Sequence, residues 1–186
     1  MTNKDYIEKA CQQFKSLMEE QLERQERMET GSAPKDFAAM EKITIGIVGG
    51  DGIGPIIMEQ AERLLRVSLA EEISAGRIVL KQIEGLTIEN RTALGKAVPD
   101  DVLAAIKECD VLLKGPTTTP KGGTLESANV TLRRELDLYA NVRPVQVPEE
   151  GIDWIFYREN TEGEYVLGSR GVEIPGKLSM DFKVTT

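Results

Sequence analysis

Apolar positions recur at three- and four-residue intervals across residues 3 to 29, where Ile7, Cys11, Phe14, Met18 and Leu22 are set among Glu, Gln and Lys, with Arg24 and Arg27 beyond them. That period predicts an amphipathic helix. Such a stripe needs cover, so the expected arrangement docks it on the body of the same protein, with an arm onto a partner subunit as the alternative. Gln21 and Gln25 fall in the stripe and the pattern is short, which argues against a coiled coil. Gly31, Ser32, Ala33 and Pro34 then read as a linker.

Beyond the linker the period changes. KITIGIVGG, residues 42 to 50, is a β-branched run closed by glycines and predicts a buried strand. Helical spacing returns over residues 56 to 72, with Pro55 suitably placed near the start. RIVLKQIEG predicts a second strand, and PDDVLAAIKECD a helix whose first-turn Asp100 and Asp101 suit the helix dipole. DVLLKGP, residues 110 to 116, is a short apolar strand running into a Thr/Pro/Gly loop. Strands alternating with helices imply an open α/β sheet with parallel strands, and such sheets hold ligands outside the carboxyl ends of the strands. After the loop, ANVTLRRELDLY is helical in composition, and NVRPVQV and IDWIFYREN are strands around the turn PEEG. The tail from Val166 to Thr186 reads as β-hairpins without an obvious core of their own.

The chain has 186 residues, enough for one domain or a piece of a larger protein. No stretch approaches the roughly 18 apolar residues of a membrane span, and the first thirty residues lack a signal-peptide core, so a cytoplasmic protein without a membrane partner is expected. Cys11 and Cys109 stand alone, without metal or disulfide spacing, and both are expected as reduced packing residues. The absence of histidine excludes Ser-His-Asp and Cys-His chemistry and His-ligated zinc. A net charge of -8 argues against a general nucleic-acid binder. An anion would have to be held by a local cluster of arginines.

GGDGIGP, residues 49 to 55, follows a strand and precedes a helix, but its glycines read G-x-G-x-G and not G-x-G-x-x-G. No carboxylate ends the second strand at the right distance either, so a standard Rossmann site is not expected. The glycines permit a tight turn or line a ligand. KGPTTTPKGG, residues 114 to 123, sits at the carboxyl end of a strand, where Thr117, Thr118 and Thr119 offer hydroxyls and N–H groups near Lys114. Next come Ser127 near a helix N-terminus, Asn129 and Arg133 one turn apart, Arg143 inside a strand and Arg158 after the apolar run WIFY. An arginine in an apolar strand is costly unless paired. Either Glu135, Asp137 or Glu159 pairs with these arginines, or a bound polyanion does, and three arginines with Ser127 and Asn129 favour the polyanion. Tyr165 follows as a candidate proton donor or relay.

GGDGIGP, KGPTTTP, ESANVTLRRELDLYANVRP and FYRENTEGEY occur in an order that resembles the N-terminal part of an isocitrate/isopropylmalate dehydrogenase, over residues 43 to 165. The resemblance implies parts of a large open-sheet α/β domain (35–123) and of a small α/β domain with a clasp-like tail (124–186). Residues 1–34 are then an added helix and linker. It implies metal-dependent oxidative decarboxylation: hydride passes to NAD or NADP, CO₂ departs and the enolate is protonated. On that pattern Arg133, Arg143 and Arg158 hold substrate carboxylates and Tyr165 assists protonation. Ser127 and Asn129 bind the γ-carboxylate of isocitrate, and Thr118 and Asn129 approach the nicotinamide ribose. The small polycarboxylate and the cofactor are the implied partners, with a homodimer for the complete protein.

Two residues depart from the pattern. Ile56 stands where the family usually has an acidic residue, and Glu126 where isocitrate-specific members tend to carry arginine. A carboxylate there repels a tricarboxylate, so isopropylmalate or a related acid stays open as substrate, as does a non-catalytic polycarboxylate-binding subunit. The family's proton-shuttling lysine, its Mg²⁺ or Mn²⁺ aspartates and most of its adenine pocket belong to sequence beyond KVTT. The 186 residues alone are expected to have no turnover.

Overall fold

The computed structural model describes every residue except Met1, Ser32, Ala33, Lys121, Gly123, Thr124, Ser169 and Thr186. Half of the expected linker, two residues of the KGPTTTPKGG loop and the last residue of the tail therefore lie outside the described residues. The chain opens with α1 (Asn3–Thr30), then β1 (Ile43–Val48), α2 (Gly54–Ser68), α3 (Ala70–Ser74), β2 (Ile78–Gln82), α4 (Ile88–Leu94) and α5 (Asp100–Lys107). It continues through β3 (Val111–Lys114), α6 (Ala128–Glu135), β4 (Ala140–Val147), β5 (Ile152–Glu159), β6 (Val172–Ile174) and β7 (Leu178–Met180). Two units divide these elements: Pro34–Leu132, and Met1–Ala33 with Arg133–Thr186.

In the unit Pro34–Leu132 the three strands form a parallel sheet in the order β2-β1-β3. This is the expected open α/β arrangement. Ile47 and Val48 at the carboxyl end of β1 are buried with Met58, Ile83, Leu86, Val102 and Ile106, which makes the core. α2 starts at Gly54, earlier than its apolar spacing predicts, because Pro55 occupies the first turn, where a missing N–H costs nothing. The predicted helix over 56–72 breaks at Leu69, and α3 follows as a separate short helix. α4 was not anticipated by periodicity. Its ends are nonetheless written in the sequence: the Thr87 hydroxyl accepts from the Asn90 N–H at 3.4 Å, and Gly95 at φ 63° stops it in the left-handed conformation.

In the other unit α1 is fixed at its start by a capping box: the Asp5 carboxylate accepts from the Thr2 N–H at 2.6 Å and the Thr2 hydroxyl from the Asp5 N–H at 3.3 Å. β4 and β5 pair antiparallel through a 3-10 turn at Pro148–Glu150 and Gly151, and β6 and β7 form a second hairpin. The tail does have a core, and α1 supplies it. Leu17 packs with Val166 and Leu167 against Phe182 and Val184, and Phe14 meets Phe182 with ring centroids 4.9 Å apart.

The docked face of α1 corrects the expectation from the stripe. The face turned inward is Tyr6, Ala10, Gln13, Leu17, Glu20, Gln21 and Arg24, of which only Ala10 and Leu17 are fully buried. Ile7, Cys11, Phe14, Met18 and Leu22 are exposed. Ion pairs account for the choice. Arg24 binds Asp137 at 3.0 Å and Glu162 at 2.9 Å, and Arg170 reaches both oxygens of Glu20 at 2.8 Å. Burial pulls the Arg24 pKa down, but its bonds to Glu162 and Asp137 outweigh that and leave it raised. Cys11 is consequently no packing residue. Cys109 is one, against Gly46, and burial raises its thiol pKa.

Candidate functional site

The carboxyl end of the parallel sheet is organised by two buried side chains, Asp51 and Arg91. One Asp51 oxygen accepts from the Ile88 N–H at 2.6 Å and the other from the Thr118 N–H at 3.0 Å. Arg91, with no exposed surface, donates to the carbonyls of Ala97 at 2.7 Å, Thr118 at 2.8 Å and Glu126 at 3.2 Å, and its charge lies 3.8 Å from Asp51. Both backbone groups of Thr118 are thereby fixed while its side chain stays exposed. Burial lowers the Arg91 pKa and Asp51 opposes that shift.

The glycines of GGDGIGP serve this junction. A Cβ on Gly50 would stand 2.0 Å from the Pro116 carbonyl oxygen, and one on Gly115 2.1 Å from that of Gly49. Gly50 also sits at φ 77°, and the Asp51 N–H donates to the Pro116 carbonyl at 2.8 Å. Of the two roles left open by sequence, Gly50 and Gly52 show the tight turn, at φ 77° and 58°, and the close approach of Gly50 to Pro116 and of Gly115 to Gly49 is a further demand for glycine.

Ser127 and Asn129 are half-buried at the start of α6, and Arg133 lies one turn beyond Asn129 on the same helix. The Ser127 carbonyl accepts the Thr131 N–H at 3.0 Å, and the neighbouring Glu126 carboxylate accepts from the Thr131 hydroxyl at 2.9 Å. Glu126 is therefore tethered to its own helix.

On the β4–β5 hairpin, Asn141 pairs with Arg158 and Arg143 with Phe156. Arg143 and Arg158 thus occupy the same face as diagonal neighbours, about 7–8 Å apart at the backbone. Both are exposed, contrary to the apolar strand interior predicted for them, since Val142, Trp154, Ile155 and Phe156 beside them are exposed as well. Arg158 donates to the Tyr165 hydroxyl and its guanidinium lies 5.3 Å from the ring centroid. Arg143 touches the Asn141 side-chain oxygen at 3.3 Å.

The three carboxylates that could have neutralised these arginines are engaged elsewhere. Asp137 holds Arg24, and Glu135 lies 3.8 Å from Arg134. Glu159 accepts from the N–H and hydroxyl of Thr161 and the N–H of Glu162, which builds the turn after β5. Among the described residues, Arg133, Arg143 and Arg158 have no carboxylate partner.

A cleft of about 310 Å³ opens beside the ends of β1 and β2, lined by Gly49, Gly50, Met58, Glu59, Glu62, Glu84 and Thr87. Its three carboxylates suit no anion, and none of the predicted site residues lines it. Among the described residues no group of three Cys, Asp or Glu side chains could hold a metal ion. The residues present do not fit one.

The sequence pattern of isocitrate/isopropylmalate dehydrogenase matches residues 44–184. This chain belongs to that family. The NADP isocitrate dehydrogenase of Caldococcus noboribetus is 40% identical over 143 residues, which are 73% of this chain and 32% of that protein. The mitochondrial NAD isocitrate dehydrogenase subunit 2 of Schizosaccharomyces pombe is 37% identical over 139 residues, 72% of this chain and 34% of the relative. Among solved structures, the apo beta-decarboxylating dehydrogenase of Thermococcus kodakarensis superimposes with a TM-score of 0.57 at 29% identity, covering 77% of this chain and 41% of that one. The chain spans about a third of the length of the curated relatives it matches.

As a member of the isocitrate/isopropylmalate dehydrogenase family, the chain has the expected α/β fold, and its predicted site residues fall in both units. Thr118, Ser127 and Asn129 belong to Pro34–Leu132; Arg133, Arg143, Arg158 and Tyr165 belong to the other. Arg143 and Arg158 share one hairpin face, and Tyr165 beyond the hairpin meets Arg158. Sequence reasoning missed Asp51 and Arg91. The available signal was a lone arginine inside the short segment TIENRTALG, between the apolar Leu86 and Leu94.

Proposed function

We infer that this chain is the amino-terminal portion of an NAD- or NADP-dependent decarboxylating dehydrogenase, with isocitrate as its substrate. The observation that carries the reading is the set of three arginines left without carboxylate partners while Glu135, Asp137 and Glu159 are engaged elsewhere. Arg133, Arg143 and Arg158 take the substrate's carboxylates through charge-assisted bonds, for which the guanidinium fork is well shaped. Tyr165, its oxygen held by Arg158, is placed to relay a proton. Ser127 and Asn129 take the γ-carboxylate, and Thr118, its backbone held by Asp51 and Arg91, meets the nicotinamide ribose together with Asn129. Since Glu126 is tethered by Thr131, its charge is partly compensated there. The names of the relatives support both the substrate and the cofactor class. The Mg²⁺ or Mn²⁺ ligands are assigned to sequence outside this chain, so the 186 residues bind substrate without turning it over.

Calorimetric titration of the chain with isocitrate and with isopropylmalate tests the reading. Isocitrate is expected to bind at least about tenfold more tightly, because a site built for a polar group rejects an analogue lacking it. Ser127→Ala should narrow the difference. Equal affinities, unchanged by that substitution, would overturn isocitrate as the substrate.

A further inference from the structure

α1 precedes the span matched by the family, and it turns its polar face inward at a cost. The side-chain oxygens of Gln13 and Gln21 are buried without a hydrogen-bond partner among the described residues. Packing alone would have turned Ile7, Met18 and Leu22 inward, yet all three are exposed. What the polar face reaches explains the choice. The Arg24 side chain is 11% exposed and each of its nitrogens is engaged: Nε donates to the Asp137 carboxylate at 3.0 Å, Nη1 to that of Glu162 at 2.9 Å and Nη2 to the Thr161 hydroxyl at 3.3 Å. Asp137 lies between α6 and β4, and Thr161 and Glu162 lie just beyond β5. Across the same end the Asn160 N–H donates to the Tyr139 carbonyl at 2.9 Å. Arg24 therefore ties together the two flanks at the open end of the β4–β5 hairpin. A two-stranded hairpin is marginal by itself in water, so such a tie matters.

Each flank leads to a predicted site residue. The Leu138 N–H donates to the Arg133 carbonyl at 2.8 Å, and Asp137 beside it is the one non-glycine residue at positive φ, 49°, among the described residues. Glycine is the usual occupant of such a helix stop. An aspartate there accepts backbone strain and supplies the carboxylate that Arg24 takes. On the other flank the Tyr165 N–H donates to the Glu162 carbonyl at 3.2 Å, so the residue whose side chain Arg24 holds also seats Tyr165. One turn before Arg24, Glu20 holds Arg170, whose guanidinium also donates to the carbonyls of Val166 and Leu167. α1 thus grips the chain on both sides of Tyr165.

We propose that Arg24 is a positioning residue: by tying Asp137 to Thr161 and Glu162 it sets Arg133 and Tyr165 relative to Arg143 and Arg158, and so shapes the polycarboxylate clamp. The consequence for binding rests on the substrate reading above, whereas the tie itself does not. Because α1 lies outside the family-matched span, the clamp of this chain is held by an element that the family pattern does not contain.

Amide hydrogen exchange and isocitrate calorimetry on the 186-residue chain, both well below its unfolding midpoint, test the proposal. Arg24→Ala should speed exchange at the Asn160 and Tyr165 amides about tenfold while the β1 amides stay unchanged. It should also weaken isocitrate binding about tenfold. Glu162→Gln should weaken binding similarly and the double variant no further, because both act through one contact; a general loss of stability would add instead. Arg24→Lys keeps the charge but not the three-way fork, and should fall between wild type and Arg24→Ala. Unchanged exchange in Arg24→Ala would overturn the tie. Faster exchange with unchanged affinity, or additive losses in the double variant, would overturn the positioning role. A wild-type chain that binds no isocitrate would overturn the substrate reading, with the exchange rates still deciding the tie.

Discussion

Arg91 in one unit and Arg143 with Arg158 in the other carry the same guanidinium into opposite surroundings. Arg91 is sealed from solvent and its donors are taken by three carbonyls, with Asp51 close by. Arg143 and Arg158 are exposed on one hairpin face, and the nearby carboxylates that could pair with them serve Arg24, Arg134 and the turn after β5. A buried cation must be fully satisfied or it destabilises the fold, so Arg91 is an architectural residue. Exposed cations held side by side without counterions contribute little to folding. Their partner is to be sought among ligands.

If that contrast holds, Arg91→Ala should have the largest effect on stability. It leaves Asp51 buried beside orphaned carbonyls, and denaturant unfolding should show a loss of about 3–5 kcal/mol. Gly50→Ala strikes the same junction through the backbone: positive φ and a collision with the Pro116 oxygen should cost about 2–4 kcal/mol in the same measurement. Arg143→Ala should reverse the pattern. Stability should move by less than about 0.5 kcal/mol, while polycarboxylate binding should lose about 1.5–3 kcal/mol by calorimetry.

The smallest effect concerns acid. Lys35 holds the Asp110 carboxyl below its ordinary value, helped by the Thr44 N–H. A carboxyl depressed in the folded state stabilises above its unfolded pKa of about 3.9, and that contribution fades as pH falls through the lower folded value. Lys35→Ala should therefore lower Tm slightly at neutral pH and flatten its decline below about pH 4.

Much of this architecture was legible in the sequence, because period and punctuation agree there. The β-branched run of β1, the Asp100 and Asp101 start of α5 and the PEEG turn between β4 and β5 each state their own conformation. α1 was legible as a helix but not in its orientation, since long-range ion pairs at Arg24 and Arg170 decide which face docks and no local pattern encodes them. The arginines were legible as a group. What was hidden is that WIFY and its partner strand are exposed, and that Glu159 folds back on the chain instead of reaching Arg158. Arg91 escaped notice because its partners are backbone carbonyls, which every residue possesses and no motif advertises.

The central claim is that Arg143 and Arg158 are reserved for a polycarboxylate and Arg91 for the fold. It is tested most directly by titrating isocitrate into the chain and into its Arg143→Ala/Arg158→Ala variant while recording the unfolding midpoint of each. The account predicts saturable binding that disappears in the variant at an unchanged midpoint. Equal binding by both proteins, or a variant that unfolds much earlier, would contradict it.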